Sequence, residues 1–96
     1  MGVPTLYWRS VNLASAAIES DNDIWNVIKQ QMTAVGLVDV KKNPSDVNGH
    51  SSDTMVAVTF AKLGKKNYTL FIMAAGDGAK KTCKQLGDKL ANVKFL

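Results

Sequence analysis

Asn67-Tyr-Thr-Leu-Phe-Ile-Met-Ala-Ala75 is the stretch that decides the fold. It reads as a strand whose two faces are both apolar. Tyr68, Leu70, Ile72 and Ala74 fall on one side, and Phe71, Met73 and Ala75 fall on the other with Thr69. Gly76-Asp77-Gly78 then supplies a turn, and the basic amphipathic segment Gly78–Leu90 follows, with Ala79, Cys83, Leu86 and Leu90 as its inner stripe. A sheet with helices on one side normally leaves its other side wet, which shows as clean alternation. The second face of this strand is apolar as well, so it calls for an occupant.

Working outward, Thr54–Lys62 reads as a strand with Val56, Val58 and Phe60 on one face, and Gly64-Lys65-Lys66-Asn67 as the hairpin turn joining it to the next strand. Asn43–Asp53 is dense in turn residues and reads as a loop. Leu37–Lys42 is a short strand. Upstream, Ser20-Asp21-Asn22-Asp23 carries helix-start chemistry, and Ile24, Val27, Ile28, Met32 and Val35 recur at helical spacing until Gly36 ends the run. Trp25 flanks that stripe and reads as a core-edge residue. Pro4–Leu13 is a strand rich in Leu6, Tyr7, Trp8 and Val11, while Ala14–Ser20 has no clear period. Asn92–Leu96 is a candidate for a last short strand.

The order is therefore β-α-β-β-β-α, with a further terminal strand as an option. It predicts an α+β two-layer sandwich in one domain: an antiparallel sheet with two helices packed on one face. The other face would carry Met55, Ala57, Phe71 and Met73, joined by Leu6 and Trp8.

Composition excludes several classes. At 96 residues and 46% hydrophobic content the chain is neither collagen-like nor compositionally disordered, and its longest apolar run, Leu70–Ala75, is too short to span a bilayer. The single cysteine, Cys83, permits neither an internal disulfide nor a cysteine zinc site. With no leader-like segment at the start, this usage predicts a reducing, cytoplasmic setting. The net charge is +4, and of the 12 Lys and Arg only Arg9 and Lys29 precede residue 41. Such a skew suits either a solvated surface or a polyanion partner.

Motifs with catalytic or cofactor specificity are missing. Gly76-Asp77-Gly78-Ala79-Lys80-Lys81-Thr82 follows a strand and opens a helix, where backbone amides can hold a phosphate, and Lys80, Lys81 and Lys84 would add charge. The spacing is not that of a P-loop, and Lys81 stands where a dinucleotide fingerprint needs glycine. Gly76, Gly78, Lys80, Lys81 and Lys84 are the residues such an anion site would use, and the competing reading is a plain strand–turn–helix joint. His50 is the only histidine and reads as an exposed loop residue. Asp46, Asn48 and Asp53 lack the spacing of a calcium loop. Cys83 falls on an apolar stripe, which favours a buried role over a reactive thiol lowered by nearby lysines. The strand aromatics lack the ribonucleoprotein signature that would mark an RNA-binding sheet.

No cofactor or metal is expected on these residues. The leading expectation is a non-enzymatic module that self-associates as a homodimer, or takes another protein partner, through Trp8, Met55, Phe71 and Met73. Anion binding at Gly76–Lys84, and a small enzyme using a cavity on the open face, are the alternatives.

Overall fold

The computed structural model describes residues 5–95. β1 (Leu6–Ala14) is followed by α1 (Asp21–Ala34), β2 (Val38–Lys42), β3 (Val47–His50), β4 (Thr54–Gly64), β5 (Asn67–Gly76) and α2 (Ala79–Ala91). The five strands form one antiparallel sheet in the order β1-β5-β4-β3-β2. The fold is α+β, with both helices on the sheet face that holds the core.

β5 lies between β1 and β4, which explains its composition. Tyr68, Leu70, Ile72 and Ala74 are buried on the helix side with Val11 and Leu13 of β1 and Val56 and Val58 of β4. From α1 come Ile24, Ile28 and Met32, and from α2 come Ala79, Cys83, Leu86 and Leu90, all buried on the same layer. Beside this core, Trp25, Phe60 and Tyr68 pack in series, the first pair tilted and the second edge-to-face, with ring centroids 4.3 Å and 5.3 Å apart. The Tyr68 hydroxyl donates to Asp21 Oδ1 at 2.8 Å, so the buried ring keeps its polar tip satisfied. Lys42 lies 4.8 Å from the Trp25 ring centroid, which places that tryptophan at the edge of the core as its position on the helix implied.

α1 begins after Ser20, and the Asp23 carboxylate accepts from the backbone N–H groups of Glu19 at 2.8 Å and Ser20 at 3.3 Å. Gly36, with φ +94°, ends the helix where an L side chain would be strained. The Ala14–Ser20 crossover is pinned to the β4–β5 turn: Ser15 N–H donates to the Lys66 carbonyl at 3.1 Å, and the Lys66 ammonium donates to the Ile18 carbonyl.

Three boundaries differ from the sequence expectation. Asn43–Asp53 is not one loop, because Val47–His50 forms β3 between two tight turns. One is closed by Asn43 N–H on the Asp46 carbonyl at 2.8 Å and the other by Ser51 N–H on the Thr54 carbonyl at 2.8 Å. Gly49 reads as a turn residue in sequence, but it is buried in the strand. A Cβ there would lie 3.1 Å from Val40 Cγ2 and 3.4 Å from Met32 Cε, so glycine lets β2 and α1 close over β3. Asn92–Phe95 is not a strand; Phe95 instead packs as a partly buried residue against the core, and Leu96 lies outside the described residues. β1 starts at Leu6, with Pro4 also outside the described residues. Gly78 is the N-cap of α2, and no side chain bonds the helix start.

Candidate binding face

The sheet register places the open-face side chains in rows. One row runs Leu6, Ala75, Met55, His50, Val38 across β1, β5, β4, β3 and β2, and the next runs Trp8, Met73, Ala57, Asn48, Lys41. Each row starts apolar at β1 and ends polar or exposed at β2–β3. Further along the strands the face turns polar: Ser10, Phe71 and Thr59 form the third row, and Asn12, Thr69 and Ala61 the fourth. Four large apolar side chains cluster at one end of the sheet, where Leu6 (76% exposed), Trp8 (68%), Met55 (70%) and Met73 (45%) face solvent, while Leu63 is exposed by itself at the far end of β4. Together these large, exposed side chains form an apolar patch on the open face.

These rows curve into a groove of about 960 Å³ with Leu6, Trp8, Met55, Ala57, Met73 and Ala75 along its floor. Trp8, Met55 and Met73 thus line the same groove. Phe71 is on the same face but half-buried and one row away, outside the groove. The groove also has a polar wall, made by Asp39, Lys41, Asp46, Asn48 and His50.

His50 is part of this wall. Its Nε2 is 2.9 Å from Asp39 Oδ2, and its Nδ1 is 3.4 Å from the Ser51 carbonyl. The hydrogen bond to Asp39 and then that to the Ser51 carbonyl raise the imidazole pKa from its ordinary 6.5. Asp39 reaches this position from the irregular stretch of β2, where the register with β3 breaks between Val38 and Lys41 and the backbone has φ +52°. Aspartate is among the few residues that adopt that conformation readily. The wall went unread in sequence because β3 did. The signal that could have revealed it is the alternation within Val47-Asn48-Gly49-His50, whose first and third residues are buried and whose second and fourth face the groove.

The Gly76–Lys84 segment has a different character. Gly76, at φ +122°, makes the turn out of β5, and a Cβ there would fall 2.1 Å from the Asp53 carbonyl oxygen. That oxygen accepts from Asp77 N–H at 3.0 Å, which ties the turn to the start of β4. At Gly78 a Cβ would meet Asp53 Oδ1 at 3.0 Å and Oδ2 at 3.3 Å, so a carboxylate already lies beside the opening of α2. Lys80 lies 6.0 Å from the Tyr7 ring centroid, while Lys81 and Lys84 are exposed along the helix.

Cys83 is buried, its Sγ donating at 3.9 Å to the Ile72 carbonyl. Burial pushes the thiol pKa up, against the smaller opposing effect of Arg9. It lies on the helix side of the sheet and His50 on the open side, so the two do not form a pair. Among the described residues no three His, Cys, Asp or Glu side chains gather to hold a metal ion, and no helix is long and apolar enough to cross a membrane.

No family model matches this chain, and neither a curated protein nor a solved structure matches it.

Proposed function

We propose that the protein is a non-enzymatic binding module that works through its open sheet face, and that a second copy of the chain is the occupant. The observation that carries this reading is the cluster of Leu6, Trp8, Met55 and Met73, each exposed on the open face and all at one end of it. Fully burying a large apolar side chain stabilises by roughly 1.5–3 kcal/mol, so several half-exposed ones leave several kcal/mol to be gained on contact. Methionine and tryptophan suit such a surface because both present a large, polarisable area. Covering the face of one sheet with the like face of another forms a second apolar layer, the usual arrangement for a sheet that is apolar on both sides.

The test is Met73→Asp. An unpaired carboxylate buried in the contact costs several kcal/mol per copy. The variant should stay folded by circular dichroism and run as a smaller species than the wild type on a sizing column with light scattering. A folded variant of unchanged mass would remove the face from the account.

A second reading has its own observation. The groove is of a size that holds a small molecule, and the His50–Asp39 pair supplies a few polar groups beside an apolar floor, as ligand sites commonly do. Binding of an amphipathic ligand would shift the His50 resonances without changing the mass. Anion binding at Gly76, Gly78, Lys80, Lys81 and Lys84 has less support, since the Asp53 carboxylate stands beside Gly78 and would repel a phosphate. If that site operates, affinity for phosphate ligands or nucleic acid falls steeply with salt. A cytoplasmic setting is in keeping with a single buried free thiol.

A further inference from the structure

Among the described residues, two strands of the sheet have a free edge, β1 and β2. An unpaired edge presents a row of backbone donors and acceptors, and proteins blunt such edges by making them short, bulged, or rich in lysine or proline. β2 has these features. It spans five residues, its register breaks between Val38 and Lys41, and it ends in Lys41 and Lys42. β1 has none of them. It runs nine residues in unbroken register with β5, from Leu6 opposite Ala75 to Ala14 opposite Asn67, with no lysine or proline. Its one charge, Arg9, is held on the helix side by Asp88 at 2.9 Å and by the Lys84 carbonyl at 3.0 Å.

The register also identifies which backbone groups are free. Gly76 N–H donates to the Thr5 carbonyl at 2.9 Å, and Ser15 N–H donates to the Lys66 carbonyl at 3.1 Å. In an antiparallel pair, bonded and non-bonded residues alternate, so the odd-numbered residues of β1 point their backbone groups at β5. Leu6, Trp8, Ser10, Asn12 and Ala14 therefore turn theirs outward. All five residues are exposed, and no backbone group among the described residues outside the β1–β5 ladder bonds to them.

We infer that β1 pairs with β1 of a second copy, antiparallel across a two-fold axis, joining two five-stranded sheets into one. A free strand edge is complementary to another free edge, and β1 is the unguarded edge that this chain itself supplies. The register follows from the outward groups. A dyad at Ser10 sets Ser10 against Ser10, Trp8 against Asn12, and Leu6 against Ala14 of the second copy. All five outward residues then find partners, with about ten new backbone hydrogen bonds. A dyad at Trp8 or Asn12 uses fewer of the five. No charged residue meets a like charge along the strand, because Arg9 stands opposite Val11.

This contact is made by backbone along the sheet edge, and it holds whether or not a second copy covers the open face. Used together, paired edges and stacked faces close into a four-copy assembly with perpendicular two-fold axes.

The test uses two variants. Ser10→Pro removes an outward N–H and leaves the β1–β5 ladder intact, the one kind of strand position that accepts proline. Its mass by light scattering is expected to be half that of the wild type, and a folded variant of wild-type mass would overturn the inference. Ser10→Cys gives a readout that does not depend on tolerance of proline. Hydrogen-bonded antiparallel partners have Cα atoms about 5.5 Å apart, and disulfides form at roughly 4.4–6.8 Å. Mild oxidation should yield a covalent dimer at concentrations where Asn43→Cys, at an exposed turn, forms no cross-link. Equal cross-linking of the two variants would overturn the edge contact. Ser10→Cys combined with Met73→Asp should cross-link as well as Ser10→Cys alone, so failure of the face and failure of the edge are read separately.

Discussion

Gly76→Ala tests whether the glycines of the β5–α2 turn serve the backbone or a bound anion. At φ +122° an alanine sits in a region that costs of order 1–3 kcal/mol for an L residue. Its Cβ would also fall 2.1 Å from the Asp53 carbonyl oxygen, inside any real contact distance. The carbonyl must move, and the bond it accepts from Asp77 N–H, worth about 1 kcal/mol, is weakened. The sum is a loss of about 3 kcal/mol, a large part of the 5–15 kcal/mol typical of a domain. For a domain this size it lowers Tm by roughly 15 °C. Gly36→Ala is the matched control. Its φ is +94°, yet nothing lies within 4 Å of the added Cβ. It pays the dihedral cost alone, about 1 kcal/mol and roughly 5 °C. Urea and thermal melts followed by circular dichroism measure both. If the two variants lose equal stability, the close approach to Asp53 is not what requires glycine at position 76, and the structural reading of that turn fails.

Other expectations follow from particular contacts. Asp39→Asn should return the His50 pKa toward 6.5, read by NMR titration of the imidazole. Because the wild-type value is raised, the pair's contribution to stability is fully present below the unfolded pKa and is lost as pH rises through the folded one. A variant titrating like the wild type would show that Asp39 does not hold the imidazolium. Cys83 should react with a thiol reagent only on unfolding, since the thiol is buried and its pKa is raised; fast labelling of the native protein would contradict its placement. Tyr68→Phe removes the hydroxyl bond to the exposed Asp21 and keeps the buried ring, so it should cost about 1 kcal/mol in a urea melt. A cost above about 3 kcal/mol would mean that the aromatic series reorganises.

The parts of the fold legible in sequence are those where one period dominates. β5 announced itself because both of its faces are apolar, and α1 because Ser20–Asp23 starts it and Gly36 stops it. Trp8, Met55 and Met73 could be placed on one face by alternation alone, once β1, β4 and β5 were taken as antiparallel neighbours. β3 was illegible because Asn43, Pro44, Ser45, Asp46, Asn48 and Gly49 all favour turns. What makes Val47–His50 a strand is tertiary: Val47 and Gly49 are buried under α1, and Gly49 is there for its lack of a side chain. The polar wall of the groove went unread with it, since the His50–Asp39 contact spans a register break that local pattern does not encode. The free edge of β1 was hidden for another reason. Which backbone groups of a strand point outward depends on its pairing register, and side-chain chemistry does not determine that.

If the apolar end of the open face is covered in solution, the chain associates and its mass reports it. The most direct measurement is the mass of the wild-type chain by light scattering across a dilution series, run beside Met73→Asp. The wild-type mass should be a multiple of one chain, and Met73→Asp, still folded, should reduce it. A wild-type mass of one chain at every concentration would contradict it, leaving the groove to the small-ligand reading.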